Sequence, residues 1–544
     1  QASATAQVTP RTIPSAPIAP VGTGEDGRAT IAFTPGYNGG AAVTEFQYSL
    51  DGKTWAPVAK PTNPDGSPIP NFPNDTTSPV AVWGLSNNAT YQVWLRAVNP
   101  AGAGPASEPA SVTPMAPPAA VFHPISPVRV VNTRGTGTAG PLGSGEQRVF
   151  SVADGVDGAT GLPDPANLNV VPQGAVAIAY NLTVPGGSGA GHLRIMPGDA
   201  PITSASNINF VAGQSIANGA VASIDVSRQI RIYNGSSLPA NALVDVVGYY
   251  LPTGEVKDSA QFSRFNALAP VRVYDSNLDA AGLLPPQTKE QPYRTVDVSR
   301  ALAAAGGAEV VPSGATALAY NITVVRPTAA SGHLRVFPGN LAVAPNASAI
   351  NWGAAWDVVA NGLVVGLSPD RTINVSNYST EPVRFLVDIA GYYTDTGAEF
   401  YAINPSRAYD SRWPPPVPGV TLGPIAGGVE NDRVVSVADG YLTGGSNQVV
   451  AKIADIVPAG ASSVTFNLTV TSTVFEGHLR LFPPLAPGEP ALNASVLNWA
   501  FSRTTRANAY VVKVGTGADD RQLEIYNGSS GTVNSILDVS GYFK

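Results

Sequence analysis

The stretch LVDVVGYY, Leu243–Tyr250, returns as LVDIAGYY at Leu386–Tyr393 and as ILDVSGYF at Ile536–Phe543. Short apolar runs rich in Val, Ile and Tyr read as strands rather than helices. A strand that recurs three times also sets a period, and a period must be found before any other reading of a long chain. Working outward, each copy opens with an aromatic residue five positions before a proline, followed by an arginine strand. These openings are FHPISPVRVVNTR from Phe122, FNALAPVRVYDSN from Phe265 and FYAINPSRAYDSR from Phe400.

Between the opening and closing strands the same phrases come in the same order. RVFSV, RTVDV and RVVSV begin at Arg148, Arg294 and Arg433. Strands leading to Asn181, Asn321 and Asn467 follow, and then GHLR with His192, His333 and His478. SNINF, SAINW and SVLNW then place Asn209, Asn351 and Asn498 before Phe210, Trp352 and Trp499. Arg129, Arg272 and Arg407 stand 143 and 135 residues apart, so each copy is long enough to hold a core of its own, unlike a solenoid unit. The expected domains are 121–252, 261–394 and 399–544. Short spacers between them predict a semi-rigid rod of independent sandwiches.

Ahead of the repeats, Pro17–Val112 shows alternating runs such as RATIAFTP and TYQVWLRAVN between Gly, Pro and Asn turns, the pattern of a β-sandwich. The stretch resembles a fibronectin type III domain in Leu85, Tyr91, Arg96, Ala97, Asn99, Gly102 and Gly104. The resemblance implies that the Tyr91 hydroxyl ties a loop to the sheet, and that Phe33 fills a core place where many members carry Trp. Asp51-Gly52 reads as a hairpin turn. We place this domain at 8–113 and a Pro-rich spacer at 114–120. The expected fold class is all-β: four tandem β-sandwich domains.

The three copies resemble a repeat common in secreted and surface proteins of actinobacteria, with the pattern P-x-R-x-x-D-[ST]-R, N-[VL]-T-V, G-[YH]-L, S-N-[LI]-N, D-V-x-G-Y-[FY]. The first copy departs from it, carrying Asn132 where the others carry Asp275 and Asp410. The resemblance implies export and no defined activity.

Composition narrows the function. Charged residues are 13 % of the 544, against about 25 % in typical domains. The formal net charge of −7 includes no basic run, which argues against nucleic acid. The absence of cysteine removes disulfides and thiolate chemistry. No run of about 18 apolar residues exists to span a membrane. The start QASATAQVTP reads like a mature end left by signal-peptide cleavage, giving an extracellular, cell-surface location. Asn181, Asn321 and Asn467 head Asn-x-Thr triplets, but lie in strand patterns and are expected to carry no sugar.

His192, His333 and His478 would be one ligand per copy where metal needs three or four, so they read as structural histidines on the strand face opposite the aliphatic core side. Asp245, Asp388 and Asp538 sit in apolar strands, where a carboxylate is costly unless paired. Their expected partners are Arg129, Arg272 and Arg407. An acid–base pair of Asp275 and Asp388 is not common to the copies. Phe210, Trp352 and Trp499 read as core, with glycan stacking as the alternative. Asn209, Asn351 and Asn498, with Asn218, Asn361 and Asn508, are expected to satisfy backbone groups in bends. No catalytic or metal residues are assigned, and no cofactor, with calcium in a loop left open. The reading is a non-enzymatic, self-associating building block of a surface layer or fibre. The alternatives are a multivalent cell-wall or glycan-binding adhesion protein and accessory modules derived from a hydrolase.

Overall fold

The computed structural model describes residues 11–58, 78–200, 205–256, 262–302, 307–428, 431–443, 447–485 and 494–544. The opening decapeptide and the expected boundaries at 8 and 261 lie outside them. Two compact units are present, one formed mainly by residues before Pro118 and the other mainly by residues from Pro118 onward. Among the described residues no helix is long and apolar enough to cross a membrane.

The first unit is a β-sandwich. Ile18–Glu25, Arg28–Thr34 and Val80–Trp83 form one sheet, and Ala56–Pro57, Glu45–Ser49, Tyr91–Asn99 and Gly102–Ala103 form the other, with Ala110–Val112 also on Tyr91–Asn99. Alternate residues of these strands enclose Ile31, Phe33, Phe46, Val93 and Leu95. The Tyr91 hydroxyl accepts the Ser86 amide at 3.0 Å. Phe33 meets Phe46 edge-on at 4.7 Å. Asp51 accepts the amides of Lys53 and Thr54 around Gly52, whose φ of +70° is the left-handed turn conformation.

In the second unit every repeat builds its own two-sheet sandwich. The inner sheet of the first repeat runs Ile216–Ser223, Ala177–Val184, Leu243–Pro252, Ala120–Asn132, and its outer sheet runs Gln147–Ser151, Gln229–Asn234, Gly191–Pro197, Ile208–Phe210. The second repeat repeats this order with Val358–Gly366, Ala317–Val325, Arg384–Thr394 and Arg264–Asp275 inside, and the third with Arg506–Lys513, Ser463–Thr471, Asn534–Phe543 and Phe400–Asp410. Leu193, Ile195 and Ile208 close the first core against Leu182, Val244 and Val246. The equivalent second core holds Leu334, Ile350 and Trp352.

The rod is corrected. The three sandwiches pack into one compact unit instead of stringing out. The physical reason lies in the topology: opening and closing strands are antiparallel neighbours, with Ala120 opposite Pro252, so each repeat begins and ends at the same place. A short spacer then folds the next repeat back beside the last. Ser263 exchanges backbone hydrogen bonds of 2.9 Å with Phe122, and Ala398 does the same with Phe265. Ala120 pairs with Phe400, which closes the ring from third repeat to first. Inner sheets are consequently buried on both faces; all eight residues of Ala177–Val184 are buried.

Candidate functional site

The motifs that recur in sequence meet where the three inner sheets face one another. At one end lie six buried rings, Phe122, Phe265 and Phe400 from the opening strands and Tyr250, Tyr393 and Phe543 from the closing ones. Phe122 lies between Tyr250 and Tyr393 at 4.9 and 4.7 Å, Tyr250 touches Phe400 at 4.2 Å, and Phe265 touches Phe543 at 4.5 Å. The Tyr250 and Tyr393 hydroxyls share a hydrogen bond of 2.9 Å, satisfying two polar groups that burial otherwise makes costly. The third closing residue is Phe543, which has no hydroxyl to satisfy.

The glycine of each GY motif is fixed by the same packing. A Cβ on Gly248, Gly391 or Gly541 would stand 2.3 Å from the ring of Phe122, Phe265 or Phe400 respectively. We therefore expect Gly391→Ala to cost about 1–3 kcal/mol, the range for overpacking a filled core. Chemical denaturation that finds it neutral would contradict this packing.

Further along, the axial strands Ile216–Ser223, Val358–Gly366 and Arg506–Lys513 are the edges of their inner sheets, and unpaired edges need partners. Asparagines supply them. Asn361 Oδ1 accepts the Gly219 amide at 2.7 Å, Asn508 Oδ1 accepts that of Gly362 at 2.8 Å, and Asn218 Oδ1 accepts that of Ala509 at 2.9 Å. Each repeat thus caps the edge of another, and the set forms a closed cycle. Their amide nitrogens reach a second triad: Asn361 donates to Asn181 Oδ1 at 3.0 Å, Asn508 to Asn321 Oδ1 at 2.9 Å, and Asn218 to Asn467 Oδ1 at 2.9 Å. Asn181, Asn321 and Asn467 in turn donate to Ser348, Ser495 and Ser206 carbonyls of the facing repeat. Expectation and structure differ here: Asn218, Asn361 and Asn508 lie within strands and bridge repeats, not in bends. Beside them is an apolar cavity of about 30 Å³ lined by residues of all three repeats, among them Tyr180, Leu363 and Tyr510.

Across each inner sheet the register places one polar row. Asn181 stands opposite Asp245, and Asp245 opposite Arg129. Arg129 donates to both Asp245 oxygens at 2.8 and 3.0 Å, and Arg272 holds Asp388 at the same two distances. Arg407 reaches Asp538 at 2.8 and 3.3 Å and Asp410 at 3.3 Å. Burial pushes Asp245 and Asp388 upward in pKa, and the bidentate arginine offsets part of that. Asp538 raises the pKa of Arg407 above the usual range against the pull of its own burial. Asp275 and Asp388 are held by different arginines, Asp275 by Arg384 at 2.6 Å and Asp388 by Arg272 at 2.8 Å. Asn132 replaces that carboxylate in the first repeat and donates to Gly158 O instead.

Burial favours the core reading of the three rings over glycan stacking. Phe210, Trp352 and Trp499 are 3 %, 0 % and 1 % exposed and offer no face to a sugar. The indole N–H of Trp352 donates to Ala329 O at 3.2 Å and that of Trp499 to Phe475 O at 2.6 Å. Asn209 and Asn498 donate to Ser206 and Ser495 at 3.4 and 3.0 Å, and Asn351 is buried.

His192, His333 and His478 are partly buried beside the arginine two residues on. Arg480 donates to His478 Nε2 at 3.1 Å, and His333 stacks on Tyr378 at 4.9 Å. Burial, with the nearby Arg194, Arg335 or Arg480 charge, pushes His192 down to about 3 and the other two to about 4. The sign follows directly: each histidine is held neutral in the fold, so its stabilising contribution is complete above pH 6.5. It is lost as pH falls toward 4, at up to about 1.4 kcal/mol per pH unit for each histidine. Denaturation at pH 7 and pH 5 should show the loss, and replacing His478 by Gln should reduce it. Among the described residues no group of three or more His, Cys, Asp or Glu could hold a metal.

A fourth recurring device escaped the sequence reading. Asn234, Asn377 and Asn527 close their outer-sheet strands; each amide nitrogen donates to two or three carbonyls, such as Leu142 O and Leu238 O at 3.0 and 2.9 Å. Their Oδ1 atoms accept from Ser236, Ser379 and Ser529. The repeated NGSS, NYST and NGSS were the available signal.

No family model matches the chain, and no curated protein does. Among solved structures, fibronectin domains FN1–FN3 of chicken CNTN1 are 11 % identical, with 72 % of this chain and 97 % of that one covered at a TM-score of 0.15. The Sulfolobus turreted icosahedral virus structure is 9 % identical, with 78 % and 91 % covered at 0.14.

Proposed function

We propose that this chain is a non-catalytic extracellular structural protein, a building block of a cell-surface layer or fibre that associates with further copies of itself. The observation that carries the reading is where the recurring residues go. The opening and closing rings and the paired asparagines all act between repeats. The Arg–Asp pairs lie in the same buried rows. Repeated chemistry is thus used to make a rigid body, which is what a load-carrying unit requires.

The outer sheets support self-association. Gln147–Ser151, Arg294–Asp297 and Arg433–Ser436 each pair on one side within their sheets, and the first and third expose Val149 and Val434. Edge strands of this kind join neighbouring chains readily. Low charge density weakens repulsion between copies. Sedimentation velocity and negative-stain microscopy across a concentration series, with and without salt and calcium, should show assemblies growing from the monomer. A monomer at every concentration would overturn the reading. In the same reading no cofactor is needed, and a chelator should leave melting unchanged.

A further inference from the structure

The loops that follow the Asn strands and those that precede the axial strands form a surface at the seam between the second and third repeats, and Trp356 stands out there on backbone grounds. Its φ is +62°, in the left-handed region that a bulky side chain enters only at a cost. The matching position of the first repeat is Gly213 with φ +74°, and that of the third is Arg503 with φ +58°. All three make the same backbone bond, Gly213 N to Gly187 O, Trp356 N to Pro327 O and Arg503 N to Thr473 O. Glycine suits this turn, yet the second repeat places there an indole that is 62 % exposed. Fold stability gives no reason for it.

The backbone that carries the ring is tied to both repeats. Arg326 N donates to Asp357 O at 2.7 Å, and the Asp357 carboxylate is buried against Arg506 of the third repeat at 2.7 Å. Beside it Arg326 and Glu476 pair across the seam at 2.9 Å with both side chains more than half exposed. Phe475 and Phe501 are 53 % and 46 % exposed on the adjoining loops. Flat apolar rings set among planar hydrogen-bonding groups match a pyranose, whose C–H face stacks on an aromatic ring while its hydroxyls meet guanidinium and carboxylate. The Arg326 cation is already paired with Glu476, which argues against an anionic membrane surface.

We propose that Trp356, with Arg326 and Glu476, forms a glycan-binding site that takes a pyranose polysaccharide. It goes beyond the structural role and stands without it. The test uses the full chain and co-sedimentation with cell-wall sacculi, chitin and cellulose, alongside neutral and anionic lipid vesicles. The wild type should pellet with at least one polysaccharide and with neither vesicle. Trp356→Gly should weaken that binding at least tenfold while melting at the same temperature or higher, because glycine relieves the left-handed backbone. Arg326→Ala should weaken it less, and replacing the remote exposed Val343 should change nothing. Undiminished pelleting of Trp356→Gly, binding to vesicles alone, or no pelleting of the wild type with any of the three polysaccharides would overturn the site. Layer formation is read separately, by sedimentation without polysaccharide.

Discussion

Replacing Asn361 with Ala should destabilise the whole three-repeat unit by about 3–9 kcal/mol, because it strands three buried groups at once and each orphan costs on the order of 1–3 kcal/mol. The Gly219 amide loses its acceptor, while Asn181 Oδ1 and Ala349 O lose a donor. Those groups belong to the first and second repeats, so the damage is shared by both sides of a seam. Calorimetry should show one transition for the three repeats moving down as a whole. Asn218→Ala and Asn508→Ala should behave alike, since the cycle makes the three positions equivalent. A transition that splits, leaving two repeats melting at their original temperature, would show that the asparagines decorate independent domains.

The second large effect is expected at the buried ion pairs. Asp538→Asn should cost about 3–5 kcal/mol, the loss typical when one partner of a buried pair is removed. Arg407 and Asp538 are 6 % and 3 % exposed at the side chain, whereas Arg272 is 26 % exposed. Arg272, left without Asp388, can recover some hydration, whereas Arg407 cannot and keeps only the longer contact to Asp410 at 3.3 Å, so Asp388→Asn should cost less than Asp538→Asn. Equal losses would mean that burial of the arginine does not set the cost. Equilibrium unfolding of both variants at pH 7 decides it.

Much of this was legible in the residues. A carboxylate in the middle of LVDVVGYY has to find a cation, and the recurring arginine of the opening strand is the natural partner, so Arg129–Asp245 and its two counterparts could be named from the sequence. Strand identity was equally plain in GHLRIMP, where Leu193 and Ile195 alternate with polar residues and do face the core. Tyr91 was legible through the family resemblance.

The common axis was not legible, for a physical reason. Alternation reports that a residue is buried, not which repeat buries it. Ala177–Val184 has Ile178, Tyr180, Leu182 and Val184 on one face and only uncharged Ala177, Ala179, Asn181 and Thr183 on the other, and the lack of any charge was the sign of a sheet covered twice, yet a strand in a sandwich centre gives a similar run. The asparagines misled because Asn is common in bends; in ANG, ANG and ANA at Ala217–Gly219, Ala360–Gly362 and Ala507–Ala509 it caps a neighbour's edge instead. The small residue that follows was the clue, since a Cβ on Gly219 would lie 2.2 Å from Gly362 O. Trp356 was missed because nothing in the letters marks a left-handed turn.

Hydrogen exchange of the full chain, read by mass spectrometry on wild type and Asn361→Ala, tests most directly whether the three repeats are one body. If they are, the inner strands around Asn181, Asn321 and Asn467 exchange at one common slow rate, and the substitution accelerates all three together. Acceleration confined to the first and second repeats, with the Asn467 strand exchanging as in the wild type, would contradict it.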